Sequence, residues 1–444
     1  MTVINRLRRL TGEGSLPVQP EGRTEKIGEL RRRIDAVMSR RPSAPPCAPS
    51  SGPNAPMGLP NAAMALAALT DGEVIENEAG RFFAVRRTFS ASCCHGNRRI
   101  GDFTQIDMPI LGSLANAPSL AGFSLQDGLF LDTETTGLSG GSGTLAFMIG
   151  TGWFEGSAFT TLQIFLRDFG EERAALFFLR DLFAQKRFLV TFNGKTFDMN
   201  LLNTRLVMNR IRNGSFDLPH LDLLHISRRL FAGHRLPNCR LVTIEENLLG
   251  LVREADIPGS EIPGRYFDWL RTKNGNLLVD IFEHNRLDVI SLAALASHLA
   301  GRLLPAGRFL PEGPAASGAP DDLPEVAGLL LDRGRTADAI ALLEKGLAAS
   351  SARAKESRRM LSLVYKRSGN WEKAVALWTR MLRDDPANVF AAVELAKWFE
   401  HHRRDHDRAS ALIVQVLPCC DLPQEADALG HRLKRLQARL ARKS

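Results

Sequence analysis

Asp132 and Glu134 stand two residues apart in "LFLDTETTGLSGG" (129–141), at the end of an apolar run. Residues i and i+2 of a β-strand point to the same face. A strand here therefore sets two carboxylates side by side, and they repel unless something positive lies between them. Further acids follow. Asp198 lies in "TFNGKTFDMNLL", just after Asn193-Gly194. It reads either as a helix N-cap or as a third carboxylate brought over the end of the first strand. Asp288 lies in "VDIFEHNRLDVISLAALASHL", four residues after His284. On a helix these two share one face, about a turn apart. Four converging carboxylates call for hard cations, Mg²⁺ or Mn²⁺, held by carboxylates, waters and a substrate phosphate. Two such ions about 4 Å apart can activate a water and stabilise the leaving oxygen of a phosphodiester. His284 is then a candidate to take the proton from that water.

The elements that must position these residues can be read from periodicity. "GLFLDTETT" reads as a buried strand. "GTLAFMIGTGWFEG" and "AFTTLQIFLRD" read as two more, joined at Glu155-Gly156. "EERAALFFLRDLFAQ" has helical spacing and an acidic first turn. "RFLVTFNG" is another strand, and a helix follows from "FDMNLLNTRLVMNRI". Three strands, then helix, strand, helix is the element order of a ribonuclease-H-like α/β fold with a mixed sheet. It is not the alternation of a doubly wound dinucleotide domain. No phosphate-binding glycine loop of the GxGxxG or GxxxxGK[ST] type follows a strand. Upstream, "DGEVIENEAGRFFAVRRTF" alternates like a hairpin around an Asn-Glu-Ala-Gly turn.

The rest of the chain gives the organisation. Five segments are expected: a basic arm with a Pro/Ser-rich linker (1–62), a small β-containing lead-in (63–124), the α/β domain (125–300), a Pro/Gly/Ala linker (301–322) and a helical domain (323–444). In the last, "LDRGRTADAIALL", "KRSGNWEKAVALW" and "HHRRDHDRASALI" start 35 residues apart, at Leu331, Lys366 and His401. Ala339, Ala374 and Ala409 fall in register, and Gly334 matches Gly369, while the third unit has Arg404 instead. That period indicates an all-α, tetratricopeptide-type repeat, a module for binding a protein partner.

The 444 residues carry a formal net charge of +8, which suits an anionic partner such as DNA or RNA. No uninterrupted apolar run is long enough for a membrane span. The six cysteines form neither a disulfide framework nor a CxxC pair, so a reducing cytoplasm is expected. "CCHG" at 93–96 has no second half-site and reads as structural.

Six stretches taken in order resemble the YprB ribonuclease-H-like domain family, within the DEDD (DnaQ-like) 3′–5′ exonuclease superfamily. They are "LDTETTGLSGGSGTLAFMIGTG", "FNGKTFDMNLL", "HLDLLHISRRLF", "CRLVTIEENLLG", "READIPGSEIPGRYFDWL" and "HNRLDVISLAAL". The resemblance implies Asp132, Glu134, Asp198 and Asp288 as metal ligands and 3′–5′ exonuclease chemistry on a nucleic-acid end. In the superfamily's two main branches the base is a histidine five residues, or a tyrosine four residues, before the last aspartate. Here His284 has the histidine type at the tyrosine spacing, and Glu283 occupies the other position.

Around this set, Gly137, Asn193 and Lys195 are candidate substrate contacts: Gly137 in the turn after the strand, Asn193 orienting water or substrate, Lys195 meeting a phosphate. Asp222 either tops a strand and starts a helix or adds a fifth acid. Arg228, Arg229 and Arg253 could meet phosphates or pair with Asp222 and Glu254. Tyr266, Phe267 and Trp269 could stack on a base, with core burial the favoured role. The rival reading of the whole is a nucleic-acid-binding or scaffold protein that keeps the nuclease fold with weak or no catalysis.

Overall fold

The computed structural model describes residues 66–302 and 323–441, apart from 105, 138–142, 212–215, 232–235, 255, 349–352 and 421. The arm and linker expected over 1–62 lie outside the described residues. So do nearly all of the 301–322 linker and the glycines Gly140 and Gly141.

Nine strands are described: β1 (Glu73–Asn77), β2 (Gly80–Phe89), β3 (Cys94–His95), β4 (Arg98–Arg99), β5 (Gly128–Thr135), β6 (Ala146–Glu155), β7 (Ala158–Phe165), β8 (Phe188–Thr191) and β9 (His220–Asp222). Seven form one mixed sheet in the order β1-β2-β7-β6-β5-β8-β9. β5 pairs antiparallel with β6 and parallel with β8, and β8 pairs parallel with β9. This is the ribonuclease-H-like arrangement, with a hairpin added at one edge. That hairpin, β1–β2, comes from the lead-in stretch and pairs with β7, so it extends the same sheet. Its turn is the Asn77–Gly80 pair read from the sequence. The β6–β7 turn closes at Glu155 and Ala158, with Gly156 at φ +61°.

β5 is central because both of its faces are apolar. Leu129 and Leu131 enter one core with β2, β7 and α2 (Glu172–Ala184). Phe130 enters a second core on the other face, with α1 (Met108–Ala115) and α4 (Leu223–Phe231). α3 (Asp198–Met208) follows β8. α5 (Leu241–Ile244) runs into a π-turn at Glu245–Leu249, and α6 (Ile262–Thr272) follows. α7 (Val279–Arg302) lies across β5, β6 and β7 and reaches both cores, with Ile281 and Phe282 in one and Val289 to Leu299 in the other.

The C-terminal region is a run of helices: α8 (Leu323–Asp332), α9 (Thr336–Ala348), α10 (Ala354–Arg367), α11 (Trp371–Asp384), α12 (Val389–Trp398), α13 (His406–Val416) and α14 (Pro423–Ala441). Each packs on the next. Ala339, Ala374 and Ala409 begin the second helix of each pair, and all three are fully buried at the crossings. Gly334 and Gly369 turn between paired helices at φ +73° and +75°. Arg404 takes the same left-handed backbone, at φ +55°, without being glycine. The helical region docks on the α/β region through α8. Arg229 of α4 pairs with Asp332 and donates to the carbonyl of Gly328 at 3.1 Å. Arg333 donates to the carbonyl of Ser113 at 3.0 Å. Between them, Leu223, Ile226 and Leu230 belong to the same apolar cluster as Val326 and Leu330.

Candidate functional site

The site forms where the end of β5 meets α7. Asp132 and Glu134 extend from the face of β5 that carries Phe130. Opposite Asp132 on β6 stands Gly150. A Cβ there would lie 2.2 Å from Asn285 Oδ1, so the missing side chain is what lets α7 approach. Asn285 is fully buried. It donates to Asp132 Oδ2 at 3.0 Å, and its own carbonyl accepts from Gln163 at 3.1 Å.

One turn of α7 supplies His284 and Asp288. His284 Nε2 lies 3.8 Å from Glu134 Oε1 and 3.7 Å from Asp288 Oδ2. Glu134, His284 and Asp288 each present one donor atom, and these three atoms lie within 4.8 Å of one another. Asp198 enters from the other side. Thr133 points away from its two acidic neighbours, and its hydroxyl donates to the Asp198 carboxylate. Asp132 and Asp198 thus stand next to the three-residue group without belonging to it, yet their charges act on Glu134.

The electrostatics are lopsided. Burial and the charges of Asp288 and Asp198 hold the Asp132 carboxyl well above the usual range. Burial and its acidic neighbours do the same to Glu134. Burial pushes Asp198 up to about 6, against the Thr133 hydroxyl, which favours its charged form. Two more buried or half-buried acids adjoin, Glu245 and Asp256. Arg253 is the cation that meets them. Its side chain is almost fully buried. It grips Glu245 with two prongs, Nε at 2.7 Å and Nη2 at 2.6 Å, and also pairs with Asp288. Burial alone would lower its pKa, but Asp288 and Glu245 hold it firmly charged.

One guanidinium against this many carboxylates leaves buried negative charge, and oxygen donors in that state suit a hard divalent cation. The carboxylates of Glu134 and Asp288 would hold such an ion, with Asp132 and Asp198 beside them.

Several neighbours take other places. Asp222 tops β9 and leads into α4. It accepts from the amides of Asn193 (2.8 Å), Lys195 (3.1 Å) and Leu224 (3.1 Å). It therefore folds the loop in front of α3, with Asn193 at φ +69°. The side chains of Asn193 and Lys195 are exposed on that loop. Gly137 is buried and accepts from the Thr135 hydroxyl at 3.0 Å. Tyr266 and Trp269 are core residues. Tyr266 stacks on Phe147 at 3.9 Å and donates to the Leu166 carbonyl. His95 of "CCHG" is buried against Ser291 Oγ at 2.7 Å, while Cys94 is exposed.

The residue that sequence reasoning passed over is Asp256. Its Oδ1 lies 2.7 Å from His284 Nδ1. It falls inside "READIPG", a stretch read for its resemblance and not for its acid. Asn285 was passed over too, although it adjoins His284.

The comparisons agree with this architecture. The RNase_H superfamily model matches residues 129–300. The Bacillus subtilis (strain 168) protein YprB is 33% identical over 334 residues, covering 73% of this chain and 78% of that protein. The chain belongs to the YprB family. Membership of the RNase_H superfamily makes the α/β region of this YprB relative nuclease-like. Among the described residues, no helix is long and apolar enough to cross a membrane.

Proposed function

We propose that the protein is a metal-dependent 3′–5′ exonuclease of the DEDD type, hydrolysing phosphodiester bonds at a single-stranded end of DNA or RNA. The observation that carries this reading is the buried surplus of carboxylate over Arg253 at the end of β5. A purely structural cluster has no use for acids whose charged forms are disfavoured by burial and by one another.

In this reading Asp132, Glu134, Asp198 and Asp288 form the ligand set for two divalent ions, Mg²⁺ or Mn²⁺. When bound, the ions supply an activated water and charge stabilisation for the leaving oxygen. The chain's own residues do the positioning. Asn285 orients Asp132, Thr133 orients Asp198, and Asp256 holds the His284 ring with Nε2 facing the carboxylates. Lys195, exposed on the loop before α3, meets a substrate phosphate, with Asn193 and Gly137 lining the approach. The segment 125–300 acts as the nuclease domain. The helical pairs of 323–444 form a tetratricopeptide-type module for a protein partner. A reducing cytoplasm belongs to the same reading, which draws on the cysteine spacing.

End-labelled DNA and RNA strands incubated with Mg²⁺ and with Mn²⁺ test it, beside Asp132→Ala. Shortening from the 3′ end that disappears in the variant is expected. The rival, a nucleic-acid-binding or scaffold role without turnover, draws on the Arg253–Asp288 pair, which gives one carboxylate an internal counter-charge. It requires tight binding, no product and no effect of Asp132→Ala.

A further inference from the structure

The sequence offers His284 as a proton acceptor, but its surroundings describe a different duty. Nδ1 lies 2.7 Å from a carboxylate oxygen of Asp256. Two acceptors do not approach so closely without a proton between them, so Nδ1 carries the hydrogen and donates it. Arg253 Nη1 also lies 3.4 Å from Nδ1, but the Asp256 contact is much the shorter of the two and sets the tautomer. In the neutral ring the lone pair is then on Nε2. That atom faces Glu134 Oε1 at 3.8 Å and Asp288 Oδ2 at 3.7 Å, both beyond hydrogen-bonding reach. The three donor atoms stand within 4.8 Å of one another yet none is in direct contact, which leaves between them a space the size of a coordinated ion. A carboxylate on the far ring nitrogen is also the arrangement that orients metal-ligating histidines and raises their basicity.

We propose that His284 Nε2 is a direct ligand, together with Glu134 and Asp288, of a divalent transition-metal ion, and that Asp256 is the positioning residue that presents the ring. The proposal deepens the nuclease reading and rests on its metal requirement. An imidazole nitrogen in the ligand set has a chemical consequence. Mg²⁺ favours oxygen donors throughout and keeps its waters, whereas transition ions take imidazole readily. The position framed by His284 therefore selects Mn²⁺ over Mg²⁺. Asp132 and Asp198, with oxygen donors alone, impose no such choice on a second ion.

The test uses the untagged full-length chain, freed of metal by chelation and titrated with Mn²⁺. Pulsed electron paramagnetic resonance of the bound Mn²⁺ should show coupling to a ¹⁴N nucleus. Labelling all histidines with ¹⁵N should remove that ¹⁴N signal, and so should His284→Gln. By calorimetry, Asp256→Asn should weaken Mn²⁺ binding about tenfold, the lower end of the range for such supporting residues. Mg²⁺ affinity should change less than about twofold. Bound Mn²⁺ without nitrogen coupling overturns the proposal and leaves the nuclease reading standing. Equal weakening of both ions by Asp256→Asn overturns the positioning role. Failure of the wild-type chain to bind any divalent ion overturns the proposal and the nuclease reading together. The wild-type spectrum decides the ligand question even where a variant does not fold.

Discussion

An unbalanced knot of charge can be found in each half of the molecule, and these two are opposite in sign. At the end of β5, Asp132, Glu134, Asp198, Asp288, Asp256 and Glu245 gather around Arg253. In the helical region a single acid, Glu400, takes three arginines of α14: Arg432 at 2.7 Å, Arg435 at 3.1 Å and Arg439 at 3.1 Å. The Glu400 side chain is fully buried, but those of Arg435 and Arg439 are 50% and 46% exposed. Their excess positive charge is hydrated where it stands. The knot around Glu400 is therefore complete as it is, and it fastens the last helix. At β5 the side chains of Glu134, Asp288 and Asp256 are only 13%, 14% and 20% exposed, so water relieves them far less than it does these arginines. What separates the two ion clusters is the depth of the surplus, not its size.

The strongest way to test the contrast is to cut the knot that is complete. Glu400→Ala removes the buried partner of three arginines, only one of them largely covered, and should cost about 2–3 kcal/mol. Denaturant unfolding followed by circular dichroism reads that loss. A change under about 1 kcal/mol would mean that water serves the arginines equally well.

Next comes acid, which adds a second cation beside Arg253. His95 is buried, and burial together with the Arg253 charge pushes its pKa down to about 4. A folded value below the unfolded 6.5 means that this group's contribution is present above pH 6.5 and is lost as pH falls towards 4. The loss should be about 2–3 kcal/mol between pH 7 and pH 4. His95→Gln should flatten that slope. An unchanged slope would show that His95 is protonated in the fold without penalty.

The smallest effect is expected from relieving the acidic knot. In chelator at neutral pH, Asp132→Asn should raise stability by about 1 kcal/mol, and on the proposed function it should also remove nuclease activity. A fall in melting temperature would mean that the Asp132–Asn285 contact outweighs the repulsion.

How much of this could be read from the sequence depends on the range of the interaction that fixes each feature. The strand character of β5, the hairpin at Asn77–Gly80 and the 35-residue register of Ala339, Ala374 and Ala409 follow from local periodicity, and the structure contains them all. His284 and Asp288 share a helix face because α-helical geometry requires it. The partnerships that cross elements were not legible. Asp256 reaches His284 from 28 residues away, through a loop with no periodicity of its own. Arg253 could be suspected of pairing, but Glu254 was the wrong acid: its partners are Glu245, Asp288 and Asp256. Gly150 looks like a flaw in a strand until the helix opposite it is known. Arg404 shows the limit from the other direction. The repeat lost its glycine there, yet the chain keeps the left-handed turn, because the packing of the helices on either side fixes it.

The seam between the halves has a consequence for how such a chain can change over time. Leu223, Ile226 and Leu230 find their apolar partners in Val326 and Leu330, and Arg229 and Arg333 stitch the edges. Stripping away the helices would leave a greasy wall on the α/β half, and the reverse holds for the helices alone. Neither half is a free cassette to be shuffled into another protein, because each covers the apolar face of the other.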